Sequence, residues 1–486
     1  MSDRMTRRGL LKGAAAGAGL IVLAGPWSAR TYAQNGKVRF ANVGVGGRGG
    51  SHLGWASAEE LVAVCDADRG TVEKVAGQHA GAKKFDDWRK LFDEMAQKID
   101  AVVCATPDHT HFPVAYTAVK LGKHCYCEKP LTHGIWEART LAELVKQKKV
   151  GSQMGNQHHA NEGNRRVVEW VRAGVIGDVK EVHTWTNRPI WPQGRIGPFK
   201  EAPVPDTLNW DSWIGVAPMR PYFVDEKGES PVHRFKWRGW FDYGCGAVGD
   251  MGCHTWDCVW WSMDPRFPLS AEPIKVVDLG TETFPKQMIV KWEFGPSAAD
   301  SPLKRPGFVA FWYEGGLKPE VPEEMKNDPG PTDAPAPQAA QPKAAKGKKR
   351  GGEASGGKGL PGSGSLFIGT KGKLLVEGDY GNSPRLIPTA KMEEFKKGQM
   401  QTIEKIEKSP GHQAEFVMAC KGEKPWDFPK SNFTYGGPLV EAMLLGNIVA
   451  RLGKKVKWDP VAMKCPGAPE ADPVIKREYR KGWWAV

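Results

Sequence analysis

Val38-Arg39-Phe40-Ala41-Asn42-Val43-Gly44-Val45-Gly46-Gly47-Arg48-Gly49 is the stretch on which the fold turns. A mostly apolar run, read as a strand, passes directly into G-x-G-x-x-G, with Gly47 and Arg48 filling the loop. Gly44 permits a tight turn, Gly46 lets backbone approach a pyrophosphate, and Gly49 lets the following helix pack on the strand. Free N–H groups and the helix dipole would then face the phosphates. Glycine spacing alone is a weak signal, so its surroundings matter. Leu61-Val62-Ala63-Val64-Cys65 reads as a second strand and ends at Asp66, 22 residues after Gly44. An acid at that place binds a ribose 2′-hydroxyl and repels a 2′-phosphate, which favours NAD. Arg69 close by keeps NADP open.

The alternation continues. Ala101–Ala105 is a strand followed by Thr106-Pro107-Asp108-His109-Thr110-His111; a helical run reaches Leu121. His124–Cys127 is another strand, followed by Glu128-Lys129-Pro130, and a helical pattern over about 134–149 leads to a strand near 150–154. Repeated β-α units imply a parallel sheet with its site at the strands' C-terminal ends, where all three motifs fall. The fold class expected is an α/β Rossmann domain over 35–155. A second α+β domain with an open, mainly antiparallel sheet then covers 156–486. Val179–Thr186, 274–279, 288–294, 308–313 and a hairpin over 365–376 supply its strands, and helical material returns at 412–420 and 438–452.

A chain of 486 residues is too long for one ordinary core. Its net charge of +13 sits largely in two segments, 1–34 (five basic side chains, one acid) and 332–362 (six basic, two acid). The folded body keeps an ordinary charge, so nucleic-acid binding is not expected. Nine cysteines without paired C-x-x-C spacing read as buried thiols rather than a metal site. Twenty tryptophans, many between Trp185 and Trp261, are explained by core packing or by a flat surface for sugar rings.

Two segments read as something other than core. Thr6-Arg7-Arg8-Gly9-Leu10-Leu11-Lys12, an apolar run from Gly13 to Gly25 and Thr31-Tyr32-Ala33 have the layout of a secretory signal of the twin-arginine type over 1–34. That places the mature protein in the periplasm or otherwise outside the cytoplasm, with no membrane span after signal removal. The stretch 317–363 is rich in Pro, Ala, Gly and Lys and is read as a flexible insertion between two strands.

The ordered motifs G-x-G-x-x-G, Ala105-Thr106-Pro107-Asp108-His109-Thr110-His111, Gly122-Lys123-His124 with Glu128-Lys129-Pro130, and Gly246-Ala247-Val248-Gly249-Asp250-Met251-Gly252-Cys253-His254 resemble the glucose–fructose oxidoreductase / inositol dehydrogenase / MocA family. The resemblance implies a nucleotide domain followed by a sheet domain that carries a carbohydrate substrate. It implies a catalytic Lys129 ahead of a cis peptide to Pro130, and catalytic roles for Asp250 and His254. It also makes a homo-oligomer through the open sheet face the expected assembly, and several family members are similarly exported. Oxidising a secondary alcohol needs a proton acceptor, and histidine has a suitable intrinsic pKa. If the segment after Gly246 is helical, Asp250 and His254 share a face, so that Asp250 would orient or charge-pair with His254. Lys129 would stabilise developing alkoxide charge. Thr106, Pro107 and His111 are expected to shape the nicotinamide pocket, Glu128 and Gln157 to contact cofactor, and His158, Trp185, Arg188 and Trp191 to form a substrate wall. His183 is expected to be structural.

Three functions fit these residues. The leading one is an exported NAD(P)-dependent oxidoreductase of a sugar, polyol or glycoside hydroxyl. The second is a redox-neutral enzyme with tightly held cofactor, exchanging hydride between sugars or cleaving a glycoside. The third is a non-catalytic sugar-binding protein.

Overall fold

The structure, a computed structural model, describes residues 36–330 and 359–483. The signal-like segment and most of the Pro/Ala/Gly/Lys-rich stretch lie outside the described residues. Six strands, β1 (Arg39–Val43), β2 (Glu60–Cys65), β3 (Lys83–Phe85), β4 (Ala101–Cys104), β5 (His124–Cys127) and β6 (Ser152–Met154), form one parallel sheet. Their order is β3-β2-β1-β4-β5-β6. The central strands β1, β4 and β5 are buried almost throughout, as a sheet covered on both faces requires. β3 has no counterpart in the sequence reading, because its Lys83 and Lys84 are exposed and leave only Phe85 as an apolar signal.

The second domain holds eight strands of a mixed, mainly antiparallel sheet. They are β7 (Val179–Trp185), β10 (Ser270–Val277), β11 (Gln287–Phe294), β12 (Phe308–Glu314), β13 (Gly364–Gly369), β14 (Lys373–Glu377), β15 (Ser383–Ile387) and β16 (Val456–Lys457), in the order β15-β14-β13-β7-β12-β11-β10-β16. Only β7 and β12 pair in parallel. A two-stranded piece, β8 (Lys200–Glu201) with β9 (Phe223–Val224), lies apart. β11 alternates strictly: Met288, Val290, Trp292 and Phe294 are buried. They meet the helix Phe433–Leu452, whose Ala442 carbonyl accepts the Trp292 indole N–H at 2.9 Å. The helix can come this close because of Gly446, where a Cβ would run into the Trp292 ring. On the Rossmann side, Arg139 donates to Glu441 of the same helix at 2.7 and 3.0 Å, so one helix ties the two domains together. Among the described residues no helix is long and apolar enough to cross a membrane.

The flanks of the stretch 317–363 are folded, which corrects the expectation of an insertion flexible over its whole length. Residues 317–330 and 359–363 include the short helix Glu323–Lys326, and Met325 and Leu360 are buried with Trp185 and Tyr313. Composition averaged over the stretch hid Leu317, Val321, Met325 and Leu360, which suffice to anchor its two ends.

Glu314, at the end of β12, is wholly buried and accepts the Trp312 indole N–H at 2.8 Å. Burial pushes its carboxyl up to about 8, against hydrogen bonds from Trp312, Gln193 and Val248. The folded chain therefore keeps a proton that the unfolded chain releases above the ordinary carboxylate range. Stability falls as pH rises from that range to about 8. Glu314→Gln removes this titration. Denaturant unfolding across that window should show a markedly flatter pH dependence for the variant, and equal slopes would contradict the assignment.

Candidate active site

The C-terminal ends of β1, β2, β4 and β5 open into a cleft of about 720 Å³, whose far wall comes from the second domain. Its floor is the glycine loop. Gly44 has φ +80°, and a Cβ there would meet Ala105 backbone at 2.6 Å. A Cβ on Gly49 would overlap the Gly44 carbonyl, whereas one on Gly47 would meet nothing within 4 Å. Gly44 and Gly49 are thus demanded by the protein's own packing, while Gly47 leaves the loop open to an approaching diphosphate. The cradle fits a dinucleotide. Gly49→Ala is expected to lose NADH binding, read as nucleotide fluorescence, and to lower the melting temperature by a cost of roughly 1–3 kcal/mol. Normal binding would show that the loop can relax.

Asp66 turns toward this loop. One oxygen accepts the Val45 and Gly46 N–H groups at 3.0 and 3.1 Å, and the other accepts from Asp68 N–H at 3.0 Å. Burial raises its pKa against these backbone hydrogen bonds. Besides standing where a ribose acid is expected, it holds the shape of the loop.

At the other end of the cleft, Glu128 is buried and a single carboxylate oxygen accepts three donors: Arg48 Nε at 2.9 Å, His52 Nε2 at 2.8 Å and Gln157 Nε2 at 2.8 Å. His52 Nδ1 accepts the Trp55 indole N–H at 3.1 Å, which puts the His52 proton on Nε2, where it donates to Glu128. Burial alone would raise the Glu128 pKa; His52, Arg48 and Lys129 overcome it and hold the carboxyl well below the usual carboxylate range. His52 carried no signal in the sequence, since it reaches Glu128 only through the fold.

The Lys129–Pro130 peptide is cis. Lys129 Nζ donates to the Asp250 carbonyl at 2.6 Å and to its carboxylate at 2.9 Å, and Arg238 Nε donates to the same carboxylate oxygen at 3.1 Å. Asp250 and His254 do lie four residues apart on one helix, Gly246–Thr255. The expected Asp250–His254 orientation is nevertheless corrected. Two cations claim the Asp250 carboxylate, and no described residue hydrogen-bonds His254 Nδ1. Burial opposes the ionised form of Asp250, but Lys129 and Arg238 hold it well below its ordinary range. Burial, with Lys129 beside it, pushes His254 well below the ordinary imidazole value, so the ring is neutral. Its Nδ1 is buried, which leaves Nε2 as the nitrogen open to the cleft.

Thr106, Pro107, His111, Gln157, His158, Arg188 and Trp191 all line the cleft. His111 bridges two loops, its ring nitrogens 2.7 Å from the Pro130 carbonyl and 2.9 Å from that of Thr106. It also lies with Cys104 and Cys127 in a buried cluster within 4.8 Å, and each of its ring nitrogens faces a carbonyl oxygen. Arg188 reaches Asp379 at 3.4 Å. Trp185 does not join the wall: it is wholly buried and donates to the Pro361 carbonyl at 2.9 Å. Strand alternation explains this, because it faces the cluster that anchors the Pro/Ala-rich stretch. His183 stacks on Phe311 outside the cleft, with ring centroids 4.8 Å apart.

Several cleft residues were not singled out from the sequence, among them Arg238, Asp108 and Tyr380. Asp108 is buried, accepts the Cys245 N–H at 3.0 Å and is pushed up to about 7, by burial first and by the Asp250 charge against Arg238 and Lys129. Tyr380, on the loop between β14 and β15, stacks on His158 with centroids 3.8 Å apart and meets His254 edge-on at 5.2 Å. The motif Thr106–His111 could have pointed to Asp108; nothing local marks Tyr380.

Fold and cleft define a two-domain, dinucleotide-binding class of protein. Comparison narrows this. Residues 38–156 match the GFO/IDH/MocA oxidoreductase family's NAD-binding Rossmann fold, and residues 174–286 match that family's C-terminal alpha/beta domain. Over both spans the chain is similar to the GFO/IDH/MocA oxidoreductase family. It is 34% identical over 152 residues to inositol 2-dehydrogenase 1 of Saccharopolyspora erythraea, covering 30% of this chain and 44% of that one. It is 30% identical over 155 residues to glycosyl hydrolase family 109 protein 1 of Akkermansia muciniphila, covering 29% and 32%. The chain thus spans less than half the length of these curated relatives. Among solved structures, the WlbA dehydrogenase of Bordetella pertussis in complex with NADH and UDP-GlcNAcA shares the fold at a TM-score of 0.55 and 16% identity, over 87% of this chain and 99% of that one.

Proposed function

We propose that this chain is an NAD-dependent oxidoreductase acting on a secondary hydroxyl of a sugar, polyol or glycoside outside the cytoplasm. The observation that carries the reading is the meeting of Lys129, Asp250 and His254 at the end of a cleft whose floor is a dinucleotide loop. The bound nicotinamide supplies the hydride acceptor. Lys129 Nζ, fixed by Asp250, hydrogen-bonds the reacting oxygen and stabilises its developing negative charge. The neutral His254 ring takes the hydroxyl proton at Nε2. Arg238 keeps Asp250 ionised, so that Lys129 stays oriented. Asp66 disfavours a 2′-phosphate and so favours NAD over NADP. Export rests on the paired arginines Arg7 and Arg8 with the apolar run behind them. Assembly as a homo-oligomer would use the open face of the second sheet.

A redox-neutral variant of this chemistry has its own support. His158 and Tyr380 stand beside His254, giving more proton-handling groups than one dehydrogenation requires. Such a site could oxidise a glycoside, eliminate its aglycone and reduce the product. Product analysis after incubation with polyols, aldoses and nitrophenyl glycosides separates the two. An accumulating keto-sugar or lactone supports net oxidation, and released nitrophenol without net nicotinamide reduction supports cleavage. No change in any carbohydrate, with NAD bound, would contradict both.

A further inference from the structure

The segment between β7 and the helix Gly246–Thr255 contains a hydrophobic cluster of its own, built around Leu208, Trp210, Trp213, Phe223, Trp237 and Trp240. It accounts for much of the tryptophan concentration, and it is docked on the Rossmann domain as well as on the connection between β10 and β11, where Trp240 and Thr283 form an isolated bridge. Arg69 N–H donates to the Thr207 carbonyl and Asn209 N–H to the Ala67 carbonyl, both at 2.8 Å. Asp68 and Leu208 form an isolated bridge. Arg234 extends from this segment to Asp68 at 2.5 Å; Asp68 is buried, whereas the arginine side chain is 70% exposed. All these contacts fall on the loop that follows β2.

That location has a consequence for the ligand. In a sheet ordered β3-β2-β1-β4-β5-β6, a bound diphosphate would lie over the loop after β1. Lys129 follows β5 on one side, so the adenosine half would lie on the other, over the ends of β2 and β3. There the cleft is lined by Asp66, Asp68 and Asp86 from the first domain and by Ser212, His233 and Arg234 from the second.

We propose that the adenosine half of the dinucleotide is bound in a site shared by both domains, with the 205–240 segment as its roof and Arg234–Asp68 as the latch. The cofactor cannot leave along the cleft until that latch opens. The inference rests on the dinucleotide reading of the cleft and deepens it: it makes the cofactor a resident group, which suits an enzyme that regenerates its cofactor on site.

The test uses the full chain loaded with NADH, following nucleotide fluorescence in stopped flow. Arg234→Gln, at a largely exposed side chain, should raise the NADH dissociation rate by about tenfold, the equivalent of roughly 1.4 kcal/mol. Because a latch obstructs passage in both directions, the association rate should rise as well, and Kd should change less than either rate. Added salt should speed dissociation from the wild type and affect the variant little. Unchanged dissociation in Arg234→Gln, or dissociation that rises while association stays constant, would overturn the latch. A wild-type chain that fails to bind NADH at all would overturn the dinucleotide reading and the latch together.

Discussion

Lys129→Met is expected to leave a folded protein that binds NADH normally and turns over roughly 10²–10⁴-fold more slowly. The fold should survive because Asp250 keeps Arg238 at 3.1 Å, so its buried carboxylate is not left without a cation. The Met side chain also fills the volume of the lysine stem. What disappears is the Nζ donor at 2.9 Å from Asp250, the group placed to meet the reacting oxygen. The measurement is kcat together with the NADH dissociation constant. A fall in kcat with Kd unchanged supports a role in the reaction itself. Full activity would return Lys129 to a structural partner of Asp250 and contradict its role in the reaction.

Glu128→Ala has the largest expected effect on the protein as a whole. One carboxylate oxygen satisfies Arg48, His52 and Gln157 at once; its removal leaves the buried His52 donor without an acceptor, while the exposed Arg48 can turn to water and Gln157 keeps the Tyr126 hydroxyl. Leaving a buried donor without its acceptor costs roughly 1–3 kcal/mol. Because the folded carboxyl is held below its ordinary value, its contribution is present above that value and is lost only as pH falls through the depressed one. Around neutrality the loss should therefore be independent of pH. Denaturant unfolding near pH 7 reads the energy, and NADH titration should show weakened binding because Arg48 belongs to the glycine loop. A stability equal to the wild type would mean that water replaces the carboxylate without cost.

Much of this architecture is legible in the sequence because it depends on local repetition. β1, β4 and β5 are apolar on both faces, and each is followed directly by its motif, so strand ends and cleft residues could be placed together. Lys129, Thr106, Pro107, His111 and Gln157 reach the cleft because they follow strands at the sheet's C-terminal edge. What could not be read depends on partners distant in the chain. Asp250 pairs with Lys129 across 121 residues rather than with His254 four residues on, since helical spacing says which groups are near and not which charge wins. Trp185 had the right composition for a sugar wall but the wrong strand face. Tyr380 arrives on a loop more than 120 positions from the motif beside it, and His52 meets Glu128 only after the sheet has formed. The Arg234–Asp68 contact is of the same kind, joining two surfaces that no sequence window contains.

The most direct test of the central claim is a single-turnover experiment. The chain is loaded with one equivalent of NAD and mixed with a panel of polyols, aldoses and glycosides, while the near-ultraviolet band of reduced nicotinamide is followed. The account predicts that at least one carbohydrate produces that band, up to one equivalent per site, and that Lys129→Met with NAD bound produces none at the same time. If NAD is bound and no carbohydrate reduces it, or if the variant reduces it as fast as the wild type, the assignment of hydride-transfer chemistry to Lys129, Asp250 and His254 is contradicted.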